Sequence, residues 1–203
     1  MQLEPDGTIL VKAPTLMPKF LINNFIKRNN GWIKKRIGAI RQNAPKTKKF
    51  ISGELFTYLG NDYPLEVGNY TKVEIKNGKL LFPQALLFRA KVELQNWYIK
   101  QAKNFIAAQV EYYANEMSAS YANITFSDTR SKWGSCTHDN RLQFNHRLIM
   151  APLLVVRYVI IHELAHTFEK NHSRKFWSLV ATYNPSHKEQ IKWLKTHGNG
   201  LVI

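Results

Sequence analysis

The sequence predicts a compact α+β fold whose chemistry sits on one helix in its C-terminal third. Three observations carry that reading. Residues 19–42 and 86–118 repeat apolar side chains at near-helical spacing, and short strand-like runs cut by turn residues lie between and after them. The apolar run Leu153–Ile161 then leads directly into His162-Glu163-Leu164-Ala165-His166. At 203 residues and 44% hydrophobic, the chain can bury a core of its own. We expect an N-terminal subdomain over 1–85, made of a basic helix and a β-meander, and a second domain over 86–203 that carries the chemistry.

In chain order, Asp6-Gly7 is a turn signal before the strand-like run Thr8–Val11, and Pro14 and Pro18 mark a loop. Leu21, Ile22, Phe25, Ile26, Trp32, Ile33, Ile37 and Ile40 then follow helical spacing, with Asn29-Asn30-Gly31 as a break or kink. One kinked helix and two separate helices fit equally well. Leu55–Leu59, Tyr63–Val67, Lys72–Lys76 and Lys79–Phe82 alternate like strands and are expected to pair as a meander. Asn77-Gly78 is a hairpin signal, because a type I′ turn needs positive φ at both central residues. From Leu86 to Ser118 a broad face of Leu94, Trp97, Tyr98, Phe105, Ile106, Val110, Tyr113 and Met117 reads as a core helix. The strand candidates Ile124–Asp128 and Arg141–Leu148 follow, joined by the polar loop 131–140. Pro152 suits the first turn of the last apolar helix.

On that helix, residues four apart share a face, so His162 and His166 can offer two imidazole nitrogens to one ion. Glu163 follows the first of them and can reach a water on the ion without being a ligand itself. His172 is the expected third ligand. At about 100° per residue a continuing helix would turn it well off the ligand face, so the chain must leave the helix first. Lys170-Asn171 is the expected exit, since asparagine tolerates a left-handed backbone. Three protein ligands leave one position open, as catalytic rather than structural zinc sites do. His138, His146, His187 and His197 have no such constellation and read as solvated or hydrogen-bonded.

The formal charge of +15 is unevenly spread, with eleven Lys and Arg against only Glu4 and Asp6 in the first 49 residues. Such a surface attracts phosphate or other anions, although a solvated lysine-rich face explains it as well. A lone cysteine, Cys136, excludes an intramolecular disulfide, fits a reducing cytosol and reads as a small buried hydrophobe. The first residues show neither a basic n-region nor an apolar h-region, and Arg157 breaks the longest apolar stretch. A cytoplasmic protein without a membrane span is expected.

Several segments together resemble one family. They are Arg130-Ser131-Lys132-Trp133-Gly134-Ser135-Cys136, Asn145-His146-Arg147-Leu148 with Ala151-Pro152, Tyr158 to His166, and Asn171-His172-Ser173-Arg174-Lys175-Phe176-Trp177. With Gly53-Glu54, Tyr58-Leu59-Gly60 and Trp193-Leu194, they closely resemble the YgjP-like metallopeptidase domain, which is akin to the SprT-like and Wss1-like zincins. The resemblance implies a compact zincin-like domain with its active-site helix beneath a small antiparallel sheet. It also implies one Zn(2+) per chain held by His162, His166 and His172, with Glu163 as general base.

The expected function is therefore zinc-dependent hydrolysis of peptide bonds in a protein or peptide substrate. Candidate substrate contacts are Arg130, Trp133, Gly134, Ser135 and Asn145, with Trp133-Gly134 as an edge that an extended peptide could join as a strand. Lys132, His146, Arg174, Tyr183 and Arg130 again are candidates for stabilising the negative charge of the tetrahedral intermediate. Two alternatives stand beside this reading. A metal near arginines on a basic surface also suits a nucleotide pyrophosphohydrolase. A basic nucleic-acid-binding module with a structural metal is the third, weakened by the lack of a fourth ligand in the motif.

Overall fold

The computed structural model describes residues 2–3, 9–14, 16–34, 48–129 and 131–202. They form two compact units, Met1–Lys46 and Thr47–Ile203. In the first unit β1 (Gln2–Leu3) pairs antiparallel with β2 (Ile9–Leu10), and α1 spans Lys19–Arg28. Asn29 ends α1 and residues 30–34 are helical again, so the break falls at the Asn-Asn-Gly segment. The expected continuation to residue 42 lies outside the described residues.

The second unit opens with β3 (Leu55–Tyr58), β4 (Asn61–Gly68), β5 (Glu74–Lys76) and β6 (Lys79–Pro83). The expected meander is not what forms. The sheet order is β3-β4-β6-β5, and β4 runs parallel to β6. Burial explains the order: β6 carries Leu80 and Phe82, at 1% and 0% exposure, and takes an interior place opposite the equally buried Leu65. The short β5, with Glu74 and Lys76, is suited to the edge. Asn77 and Gly78 have φ of 52° and 73°, as the hairpin signal required. The four strands pack within the second unit.

Two backbone contacts join this sheet to the 3₁₀ turn His146–Met150 that precedes the chemistry-bearing helix. Leu59 and Gly60, at the tip of the β3–β4 turn, donate their N–H groups to Ile149 O and Met150 O at 2.8 and 3.2 Å. A Cβ on Gly60 would lie 2.7 Å from Pro152 Cα, and its φ is +79°, so only glycine allows this approach.

A 3₁₀ segment, Gln84–Arg89, leads into α2 (Ala90–Met117). Leu94, Tyr98, Ala102, Ile106 and Val110 recur every four residues and are at most 1% exposed, which makes one stripe of α2 the spine of the core. Ser118, with φ 54°, ends the helix in a left-handed cap. A three-stranded sheet follows, made of β7 (Asn123–Ser127), β8 (Gly134–Cys136) and β9 (Arg141–Asn145) in the order β7-β9-β8. It is mixed rather than antiparallel, because β7 runs parallel to β9 while β8 opposes it. β8 lies inside the segment expected to be loop, and β9 stops at Asn145, where a 3₁₀ turn takes over.

Three helices complete the unit: α3 (Leu153–Ala165), α4 (Arg174–Tyr183) and α5 (His187–His197). α3 is apolar nearly all round, with Val155, Val156, Val159, Ile160, Ile161, Leu164 and Ala165 buried, as befits a helix enclosed by its neighbours. It packs on α2, β8, α4 and α5.

Candidate metal centre

α3 ends at Ala165, five residues before the expected exit at Lys170-Asn171. The Thr167 hydroxyl donates to Leu164 O at 2.7 Å, and His166 Nδ1 donates to Glu169 O at 3.0 Å. Both bonds occupy carbonyls of the turn that leaves the helix. Asn171 is not left-handed, since it is absent from the residues of positive φ. The reversal is made by the turn at 166–168, and the next helix begins at once: Ser173 Oγ accepts the Phe176 N–H at 3.2 Å, capping α4 one residue after His172.

This folding gathers His162, His166 and His172, each offering one ligand atom, with all three atoms within 4.8 Å of one another. His172 Nε2 lies 3.1 Å from His162 Nε2. Two lone pairs do not face each other at that distance unless a proton or a cation lies between them. Ligand nitrogens at 2.0–2.1 Å from a tetrahedral zinc stand about 3.3 Å apart, so the spacing suits such an ion. The distal ring nitrogens are also arranged for it. His162 Nδ1 is 3.3 Å from the Tyr158 hydroxyl and His166 Nδ1 bonds Glu169 O, which leaves both Nε2 atoms free to face the shared point. Among the described residues no other His, Cys, Asp or Glu joins this cluster.

Aromatic rings wall the group. Phe176, fully buried, stacks on His166 at 4.5 Å, and Trp177 stacks on His172 at 5.6 Å. Lys170, between the second and third histidines, donates its ammonium to Thr137 O and Asn140 Oδ1 in the β8–β9 turn, at 2.9 and 2.5 Å. It latches the His172 segment to the β8–β9 hairpin.

Glu163 is 5% exposed and faces β8. A Cβ on Gly134 would lie 2.6 Å from both its Cγ and its Oε1, so the strand touches the carboxyl only because residue 134 has no side chain. Gly134→Ala is expected to displace that carboxyl while leaving the histidines in place. At roughly 10²-fold for a misplacement of about 1 Å, peptide hydrolysis falls by about two orders of magnitude. Activity near wild type with full zinc content would contradict the contact.

Burial raises the Glu163 pKa to about 8, against a smaller lowering by the Lys132 ammonium. Burial likewise lowers the His162 pKa to about 3, with the charges of His166 and His172 adding to it. A bound cation would bring the carboxyl back toward its ordinary range. In metal-free protein, a carboxyl whose folded pKa lies above its unfolded value stabilises fully below about pH 4.5, and that contribution disappears as pH rises through about 8. Chelated Glu163→Gln is therefore expected to unfold at a higher temperature than chelated wild type, by several degrees at pH 8 and by much less near pH 5. Thermal scans across that range check this, and a pH-independent difference would refute it.

The other residues singled out in the sequence fall into distinct places. Trp133 packs on the backbone of Gly198, where a Cβ would meet its ring at 2.9 Å. Ser135, on β8, accepts the Lys132 ammonium at 2.9 Å. Asn145 is 3% exposed, its Nδ2 donating to Thr129 O at 2.7 Å and its Oδ1 accepting the Arg147 N–H at 3.0 Å. Its amide braces the loop before β8 from inside. Arg130 lies outside the described residues. His146 is buried, with Nδ1 3.0 Å from Ser127 O, and the Tyr183 hydroxyl donates to Glu116 O. Cys136 is half-buried on the edge strand rather than in the core, and burial raises its thiol pKa. Tyr158 was missed as a partner of the site, although its signal was available: 158, 162 and 166 lie one turn apart on one helix face.

A helix carrying His-Glu-x-x-His, with a third histidine folded back to the same point and, among the described residues, no fourth protein ligand beside it, is the arrangement expected of a metal-dependent hydrolase. The chain belongs to the YgjP-like metallopeptidase domain family, whose profile matches residues 1–197, and it is a zinc metallopeptidase. In part it is similar to the metallopeptidase zymogen jannalysin of Methanocaldococcus jannaschii, at 22% identity over 44% of this chain and 94% of that one, with a TM-score of 0.40. It is similar as well to the metallopeptidase zymogen abylysin of Pyrococcus abyssi, at 16% identity over 48% and 99% of the two chains, with a TM-score of 0.42. No protein of curated description matches it significantly. Among the described residues no helix is long and apolar enough to cross a membrane.

Proposed function

We propose that His162, His166 and His172 hold one zinc ion per chain, and that Glu163 is the general base and acid of peptide-bond hydrolysis beside it. The observation that carries this is the meeting of three imidazoles next to a buried carboxyl that fronts an edge strand. Zinc, when bound, supplies Lewis acidity toward a water and toward the scissile carbonyl. Tyr158 and Glu169 orient the rings of His162 and His166 through their Nδ1 atoms. The Glu163 carboxylate takes the proton of the attacking water and returns it to the leaving amine nitrogen. Among the described residues β8 pairs with β9 on one side only, so its other edge offers backbone N–H and C=O groups to an extended substrate. Trp133, Gly134 and Ser135 are then the residues along which the peptide lies, and Asn145 supports them from within. Lys132 is the candidate for balancing developing negative charge, since its ammonium already acts electrostatically on Glu163.

Cleavage of an unfolded protein by zinc-loaded chain, its loss on chelation and its return on adding zinc test the assignment. Zinc-replete protein that produces no fragments would overturn it. The nucleotide reading rests on the basic surface and on arginines near a metal, and the nucleic-acid reading on the basic surface with a structural metal, whereas the family match speaks for a peptide substrate.

A further inference from the structure

Beside the proposed peptide path lies a recess of about 210 Å³, lined by Trp133, Tyr158, Ile191, Leu194 and Lys195. We propose that it is a specificity pocket that receives one bulky apolar side chain of the substrate, from a residue flanking the scissile bond. This rests on the peptidase reading and adds a substrate class to it.

The recess is continuous with the reacting groups through two of its walls. Trp133 directly precedes Gly134, the residue that touches Glu163, so a peptide lying along β8 passes the mouth of the recess next to the carboxyl. Tyr158 stands one helical turn before His162 and contacts its ring nitrogen. The remaining walls come from α5, where Ile191 and Leu194 are half-buried. Four of the five lining side chains are apolar or aromatic, and the fifth, Lys195, is exposed at the rim.

Size and polarity together select the occupant. An apolar cavity of about 150 Å³ already holds a benzene ring, so this recess accommodates a leucine, methionine or phenylalanine side chain. A charged or amide side chain would lose its water against the indole and leucine walls, where the polar groups of the lining side chains are the Lys195 ammonium, the Trp133 indole N–H and a Tyr158 hydroxyl already 3.3 Å from His162 Nδ1. The Lys195 ammonium favours a carboxylate on the peptide just outside the pocket, either an acidic neighbour of the anchored residue or the chain end.

The test is cleavage-site profiling on a peptide library with zinc-loaded wild type, Leu194→Trp, Leu194→Ala and Lys195→Glu, each checked for zinc content and melting temperature. Wild type is expected to show one position beside the cleaved bond dominated by bulky apolar residues. Leu194→Trp fills the recess and should lower kcat/KM for those peptides about tenfold or more while sparing small residues there. Leu194→Ala enlarges the recess and should shift the preference toward larger rings, and Lys195→Glu should remove any preference for neighbouring acids. The alanine and rim variants keep the test open if the tryptophan variant does not fold. Active variants with an unchanged profile would overturn the pocket and leave the peptidase reading standing. Zinc-loaded wild type that cleaves no peptide would overturn both.

Discussion

Glu163→Gln is expected to bind zinc as wild type does and to hydrolyse peptides about 10²–10⁴-fold more slowly, the range that a positioned general acid–base contributes. Glutamine preserves the volume beside Gly134 but cannot take a proton from water or return one to the amine. The buried setting makes the loss severe, because with Glu163 at 5% exposure no solvent carboxylate can substitute for it. Two measurements on one preparation read the effect, kcat/KM on a cleaved peptide and zinc per chain. Loss of both together would mean that Glu163 holds the site in shape rather than transferring protons. Full activity with full zinc would remove it from the chemistry.

His172→Ala is expected to weaken zinc binding by more than the 10–100-fold that loss of an outer hydrogen-bond partner costs, since it removes a ligand itself. The histidine is exposed and stacks on Trp177, so the substitution deletes little buried surface and the fold should persist. It also removes the atom 3.1 Å from His162 Nε2, leaving two ligands in place of three. Competition with a chelator of known affinity gives the change, and a melting temperature within a few degrees of chelated wild type shows that the chain is still folded. Unchanged affinity would place the third ligand elsewhere.

Much of the centre was legible because helical periodicity is a local property. His162, Glu163 and His166 lie within two turns, and their shared face follows from 3.6 residues per turn whatever surrounds them. The Asn77-Gly78 hairpin was legible for a similar reason, since its two positive φ values depend on residue type. The geometry that returns His172 was only half legible. Its need to leave the helix followed from spacing, but the exit was misplaced because Thr167 and His166 end the helix through side-chain bonds to carbonyls, a signal weaker than Asn171 in sequence.

What escaped sequence reading was set by tertiary contact. Pairing strands in chain order gave a meander, whereas the buried pair Leu65 and Leu80 draws β6 against β4 and leaves β5 at the edge. β8 is three residues, Gly, Ser and Cys, none of them among the β-branched or aromatic residues that signal a strand in sequence, and it forms where β9 and α3 pack against it. Gly134 was a candidate substrate contact on sequence grounds. Its tight approach to Glu163 depends on how sheet and helix pack, which spacing along the chain does not encode.

The central claim is that Glu163 and a zinc ion held by three histidines add water across a peptide bond. Incubating an unfolded protein with the zinc-loaded chain in ¹⁸O-enriched water, then reading fragment masses, tests it most directly. The account predicts fragments whose new C-terminal carboxyls carry ¹⁸O from wild type, and none above background from zinc-loaded Glu163→Gln. Intact substrate with wild type, or equal labelled fragments from both proteins, would contradict it.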